Sequence, residues 1–293
     1  MYAHLKLKSL AFGGLLAMAT SANAVPLFAD VVSIVDESGS MSGEHAWLGG
    51  MVTSLDVGLN TAGLTPNNYG LVGFGGGTVS HPNAGHSHLV GGGQFGTAAQ
   101  FSTATGGLVV SGATEDGYSG IALANTYGFR SGAARNYILV TDEDRDITNP
   151  SLTFASTLSS LTSTSTLLNA VINASFRCGD NSVALGMASG GTGYKADGTG
   201  GFTTCTGASA VIGAGTTIND YVNLALATGG AAWDLNQLRA GGNTATSFTK
   251  AFIDLKVQEI QNQDPTVPEP ATLALLGIGL AGFAARRNKK VAA

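Results

Sequence analysis

Residues Val31-Val32-Ser33-Ile34-Val35 form a mostly β-branched apolar run that passes directly into Asp36-Glu37-Ser38-Gly39-Ser40-Met41. A buried parallel strand reads as a near-continuous apolar run, and open α/β sheets place their ligand sites at the carboxyl ends of such strands. Asp36, Ser38 and Ser40 alternate in this turn and all offer oxygen, the donor type that hard cations select. The pattern recurs. Asn136-Tyr137-Ile138-Leu139-Val140-Thr141 is a second apolar run, and it ends at Asp142-Glu143-Asp144-Arg145-Asp146. A third strand-like segment, Gly107-Leu108-Val109-Val110, leads into a Gly-containing turn that carries Thr114.

Between these landmarks, strand and helix patterns alternate. Trp47, Leu48, Met51, Val52, Leu55 and Leu59 recur at helical spacing, so a helix is predicted from Glu44 to Leu59. Tyr69 to Phe74 reads as a second strand, Tyr118 to Tyr127 as a helix, and Asn169 to Ile172 as a further strand. Short helices are predicted over Thr97–Thr105 and Ser151–Leu161, with longer ones over Thr217–Ala227 and Thr246–Gln261. Ala231 to Leu235 reads as a last, edge-like strand. This alternation predicts an α/β fold of the Rossmann-like, doubly wound kind: a mostly parallel sheet with helices on both faces. The Gly-rich stretch from Gly75 to Gly96 reads as a hairpin or loop, with an edge strand around His88. Its histidines, His81, His86 and His88, are taken as solvent-exposed loop residues, because neither regular ligand spacing nor a carboxylate partner accompanies them.

Both ends read as signals rather than fold. Lys6 and Lys8 precede an apolar run, and Ala22-Asn23-Ala24 supplies a cleavage site, the pattern of a secretory signal peptide over residues 1–24. At the other end, Pro268-Glu269-Pro270 precedes an apolar segment at 271–285 and a basic tail with Arg286 and Arg287. That order resembles the PEP-CTERM sorting signal of Gram-negative bacteria. The resemblance implies exosortase processing of residues 265–293, a short transmembrane stage in the inner membrane, and delivery to the cell surface or extracellular matrix. Residues 25–264 are then one domain. The terminal segments contain six of the 14 Lys and Arg residues, leaving 8 basic against 19 acidic residues over 25–270, a net charge of −11. A chain so acidic is unsuited to nucleic acid, whose binding rests on cationic neutralisation of phosphate. In an exported chain the two cysteines, Cys178 and Cys205, are expected to form a disulfide. It would close an insertion worth about 3 kcal/mol in loop entropy.

Asp36, Ser38, Ser40, Thr114 and Asp142 together resemble the metal-ion-dependent adhesion site of von Willebrand factor type A domains, with D-x-S-x-S, a threonine and an aspartate in the family's order. The resemblance spans Asp30 to Ile260. It implies that Ser38, Ser40 and Thr114 ligate directly, and that Asp36 and Asp142 act largely through water. Magnesium is the expected ion, with manganese or calcium as alternatives. Glu37 falls at a variable position of the motif and is not expected to ligate. Where the family has a glycine after the last aspartate, this chain has Glu143, Asp144 and Asp146. They offer donors for a second cation, although a solvated acidic loop is the preferred reading.

The expected function is cation-dependent binding of an acidic group on a protein or extracellular polysaccharide, in adhesion, matrix or biofilm assembly, rather than enzymatic. A passive matrix protein with a stabilising metal site is the first alternative. A serine hydrolase built on Ser38 or Ser40, with His45 nearby, is the second; no G-x-S-x-G elbow supports it. A nucleotide-binding glycine motif is also missing.

Overall fold

The computed structural model describes residues 28–263. The expected signal peptide at 1–24 and the expected sorting signal at 265–293, with Pro268, Glu269, Pro270, Arg286, Arg287 and the 271–285 segment, lie outside the described residues. Among the described residues no helix is long and apolar enough to cross a membrane.

Among the described residues, twelve strands form two sheets. The first six are β1 (Ala29–Asp36), β2 (Asn68–Phe74), β3 (His86–His88), β4 (Ala134–Thr141), β5 (Leu167–Ile172) and β6 (Ala174–Arg177). The rest are β7 (Val183–Ala184), β8 (Gly186–Ala188), β9 (Gly193–Ala196), β10 (Phe202–Cys205), β11 (Ser209–Gly213) and β12 (Ala231–Asp234). Seven α-helices accompany them: α1 (Ser42–Thr61), α2 (Ala98–Ala104), α3 (Gly117–Ala124), α4 (Phe154–Thr162), α5 (Asn223–Ala227), α6 (Leu235–Arg239) and α7 (Gly242–Asn262).

The large sheet has the order β10-β9-β8-β12-β5-β4-β1-β2-β3. Its central five strands, β12-β5-β4-β1-β2, pair in parallel. Antiparallel strands finish both edges: β3 on β2, and β8, β9 and β10 beyond β12. The sheet is therefore mostly parallel, as predicted. From β1 the chain crosses through α1 to β2 on one side, then returns to place β4 on the other. The strand order reverses between β1 and β4, and the crevice at their carboxyl ends is where such sheets bind ligands.

Residue alternation along β1 explains the two cores. Val31 and Val35 join Leu48, Met51, Val52, Leu55 and Leu59 of α1 and Phe248, Ala251 and Phe252 of α7. Val32 and Ile34 face the opposite layer, with Tyr118 and Ile121 of α3, Leu161 of α4 and Leu224 of α5. Because both faces are covered, every residue of β1 is buried. In the first layer Trp233 of β12 meets Phe248 and Phe252 at ring-centroid distances of 5.7 and 5.4 Å, edge to face.

The segment between Cys178 and Cys205, expected as an insertion, supplies β7 to β10. The disulfide is present, with a Cα–Cα distance of 5.9 Å, and joins the end of β6 to β10. Ala231–Asp234 is an interior strand rather than an edge, because β8 pairs along its far side. Short Gly-rich strands carry too little apolar periodicity to announce themselves, and their pairing comes from register with neighbours distant in sequence.

One buried ion pair lies in the first layer. Lys256 Nζ is 3.3 Å from Glu259 Oε2, with side-chain exposures of 0% and 8%. The same Oε2 accepts from Asn169 Nδ2 at 2.7 Å, and Asn169 Oδ1 accepts from Trp233 Nε1. Burial pushes the Lys256 ammonium down against the pull of Glu259. Removing one partner of such a pair strands the other charge. Glu259→Gln is therefore expected to cost about 3 to 5 kcal/mol in a urea melt, and Lys256→Met with Glu259→Gln to recover most of it. An unchanged midpoint in the single variant would contradict this account of the pair.

Candidate metal centre

The carboxyl ends of β1 and β4 bring the predicted oxygen donors together. Asp36, the last residue of β1, is fully buried. Its Oδ1 accepts the Ser38 N–H at 2.8 Å, and its Oδ2 accepts the Thr141 hydroxyl at 2.7 Å. Ser38 Oγ lies 3.3 Å from Ser40 Oγ, and Ser40 Oγ donates to Asp142 Oδ1 at 2.8 Å. Four of the five predicted residues thus form one connected set across the switch point. Thr114 belongs to the loop before α3. A Cβ added to Gly75 would meet Asp36 Oδ1 at 3.0 Å and the Thr114 carbonyl at 3.7 Å, so this loop lies against the same carboxylate. Gly75 has φ +78, a conformation that side chains rarely adopt, and its bare backbone is what lets the two segments close on Asp36. Among the described residues the Thr114 hydroxyl makes no hydrogen bond, so its part in the set rests on proximity.

Negative charge dominates this crevice. Burial, opposed by hydrogen bonds from Ser38 and Thr141 and reinforced by Asp142, pushes Asp36 up to about 6. Burial and the nearby charges of Asp36, Asp146 and Glu143 push Glu115 up to about 7. Carboxylates in this condition are stabilised by an added cation.

One cation from the chain reaches the rim, and no sequence pattern announces it. Arg239, at the end of α6, donates from Nη2 to Asp142 Oδ2 at 2.8 Å and from Nε to Glu44 Oε1 at 2.7 Å. Glu44 is 2% exposed and Asp142 7%, whereas Arg239 is 34% exposed. His45 Nε2 bonds the Asp36 main-chain carbonyl at 2.7 Å. Among the described residues no hydrogen bond joins it to Ser38 or Ser40.

The acidic loop does not gather. Asp144 Oδ2 accepts the Thr216 N–H at 3.1 Å, and Asp146 Oδ2 accepts the Glu115 N–H at 3.1 Å. Glu143 is exposed. Arg145 anchors the loop by donating from Nε to buried Asp116 at 2.7 Å and lying 4.0 Å over the Tyr118 ring. Asp144 and Asp146 thus bond separate main-chain amides, and Glu143 faces solvent.

The histidines depart most from expectation. His81, His86 and His88 are not loose loop residues, and they do have a carboxylate partner. They converge on Glu37, which is fully buried. Glu37 Oε1 accepts the Val109 N–H at 2.8 Å and lies 3.2 Å from His81 Nδ1 and from His88 Nε2, while Oε2 is 2.5 Å from His86 Nε2. Burial alone would raise Glu37, but His86, His88 and the Val109 amide outweigh it and hold the carboxyl down at about 2. The spacing His86-Ser87-His88 was the available signal, since a strand puts residues i and i+2 on one face. The carboxylate was hidden 49 residues away from His86.

Residues 266–289 match the PEP-CTERM protein-sorting motif, a signal for exosortase processing. No curated protein sequence matches the chain. Among solved structures, the chain is similar to a von Willebrand factor type A protein from Catenulispora acidiphila, with 20% identity and a TM-score of 0.38 over 50% of this chain and 33% of that one. It is also similar to proximal thread matrix protein 1 from the mussel byssus, with 13% identity and a TM-score of 0.35 over 50% of this chain and 36% of that one. The chain thus spans about a third of the length of these structures.

Removing the Arg239 clamp would leave two nearly buried carboxylates without their counter-charge. Arg239→Ala is expected to lower stability in EDTA by about 1 to 2 kcal/mol, allowing for the solvent-facing part of the guanidinium. A denaturation midpoint equal to that of the unaltered chain would show that the clamp is idle.

Proposed function

We propose that this chain is an exported binding module of the von Willebrand factor type A kind. It would hold a divalent cation between Asp36, Ser38, Ser40, Thr114 and Asp142 and present that cation to an acidic group of a partner. One observation carries the reading: Ser38, Ser40, Asp36 and Asp142 form a connected oxygen set at the switch point between β1 and β4. Magnesium suits it best, because that ion takes oxygen ligands, keeps several waters and needs only one or two carboxylates. Three neutral hydroxyls, from Ser38, Ser40 and Thr114, leave much of the ion's charge uncompensated, which favours a carboxylate arriving from a protein or polysaccharide. Arg239 beside Asp142 adds positive charge at the same rim. The sorting signal supports export with exosortase as the processing partner, and a place at the cell surface or in the matrix of a Gram-negative bacterium follows from it as part of the proposal.

Arg239 also supports a second reading. A guanidinium already bonded to Asp142 neutralises it without a metal, as a passive matrix protein would need. The first reading expects magnesium or manganese to raise the melting temperature of the full chain, and Ser38→Ala with Asp142→Asn to abolish the rise. An equal rise in the double variant would remove this site assignment. Retention of the chain on its own matrix polysaccharide is expected to be lost in EDTA and restored by magnesium; retention indifferent to EDTA would favour the passive reading.

A further inference from the structure

The imidazole cluster has no part in the oxygen site. It lies on the other side of β1: Asp36 turns toward Thr141 of β4, whereas Glu37 turns toward His86 and His88 of β3. One ligand atom from each of Glu37, His81, His86 and His88 lies within 4.8 Å of all the others. Among the described residues these four are the only group of three or more His, Cys, Asp or Glu side chains so gathered. We propose that Glu37, His81, His86 and His88 form a buried site for a divalent transition ion of the zinc class, distinct from the oxygen site.

Three features of the cluster favour an ion over a set of ordinary hydrogen bonds. First, His86 Nδ1 donates to the Ala84 carbonyl at 3.0 Å, which is how metal-bound histidines are commonly oriented. Its Nε2 then faces Glu37 Oε2 at 2.5 Å, and a carboxylate can only accept. Without an ion that contact needs a second proton on His86; on a shared ion, metal–ligand bonds of about 2.0 to 2.2 Å would open it to about 3.4 Å. Second, His88 Nε2 is buried and has no hydrogen-bond partner, although Glu37 Oε1 is only 3.2 Å away. Its geometry suits a shared ion better than a bond to that oxygen. Third, space is reserved for the cluster. A methyl group on Gly73 would collide with Glu37 Oε2 and come within 2.7 Å of His86 Nε2. One on Gly76 would meet the His81 carbonyl at 2.6 Å.

The donor set selects the ion. Three imidazole nitrogens with one carboxylate suit zinc and its neighbours, whereas magnesium and calcium prefer oxygen throughout. Four protein ligands in a largely buried position match a closed, structural zinc site rather than an open catalytic one. Such an ion would pin the Gly75–Gly96 segment to the end of β1, next to the Asp36–Ser40 turn.

The test uses the full chain, stripped with a chelator and dialysed against zinc with magnesium in excess. One zinc per chain is expected by elemental analysis, and cobalt in its place is expected to give the strong visible bands of a tetrahedral site. His86→Ala should weaken zinc binding by at least about 100-fold. His81→Gln, on a partly exposed loop residue, provides a fold-preserving second variant and should weaken it by at least about 10-fold. Ser38→Ala should keep its zinc. The proposal falls if the folded chain retains no zinc, or if cobalt gives only the pale spectrum of an octahedral ion. It falls equally if both folded histidine variants bind as tightly as the unaltered chain, or if Ser38→Ala loses zinc to the same degree as His86→Ala.

Discussion

Strand β1 runs into two successive carboxylates, Asp36 at its end and Glu37 just past it, and neither is exposed to solvent. An ionised group buried without partners costs several kcal/mol, so the surrounding structure has to supply donors or cations on both sides of β1. On the β4 side, the Ser38 amide and the Thr141 hydroxyl bond Asp36. On the β3 side, three imidazoles and the Val109 amide surround Glu37. Two glycines make both arrangements possible: Gly75 lets backbone pass close to Asp36, and Gly73 leaves room for Glu37 beside His86.

The two sides differ in chemistry because they differ in topology. The β4 side lies at the switch point, where chain segments diverge and leave a crevice lined by loop hydroxyls and carboxylates. The β3 side lies over an antiparallel edge, where a hairpin folds back and alternate residues of one short strand face inward. The first gives a hard, oxygen-rich environment and the second a nitrogen-rich one. Arg239 complicates the first side, since its guanidinium holds one oxygen of Asp142 while Ser40 holds the other.

Much of this could be read from sequence where a signal is local. The apolar runs of β1, β2 and β4 announce strands buried on both faces, and the spacing of Leu48, Met51, Val52, Leu55 and Leu59 announces α1. Asp36, Ser38, Ser40 and Asp142 were legible because each ends or follows such a run. What escaped depends on contacts across the chain. β12 is four residues long and reads as an edge until β8 is known to pair with it. The strands between Cys178 and Cys205 are too short and Gly-rich for periodicity to show. Glu37 lies 44 residues from His81 and 49 from His86, and Arg239 lies 97 from Asp142, so no spacing rule joins them. The alternation of His86 and His88 was visible, but its meaning depended on an acid supplied by another strand.

The most direct measurement is a crystal structure of the full chain grown with zinc and magnesium, with anomalous difference maps collected on either side of the zinc absorption edge. An anomalous peak that disappears below the edge should lie among Glu37, His81, His86 and His88, and ordinary difference density with no anomalous signal should lie against Ser38, Ser40 and Asp142. Zinc bound instead at Asp142, or no ion on either side of the end of β1, would contradict the assignment of two chemically distinct cation sites to one pair of buried carboxylates.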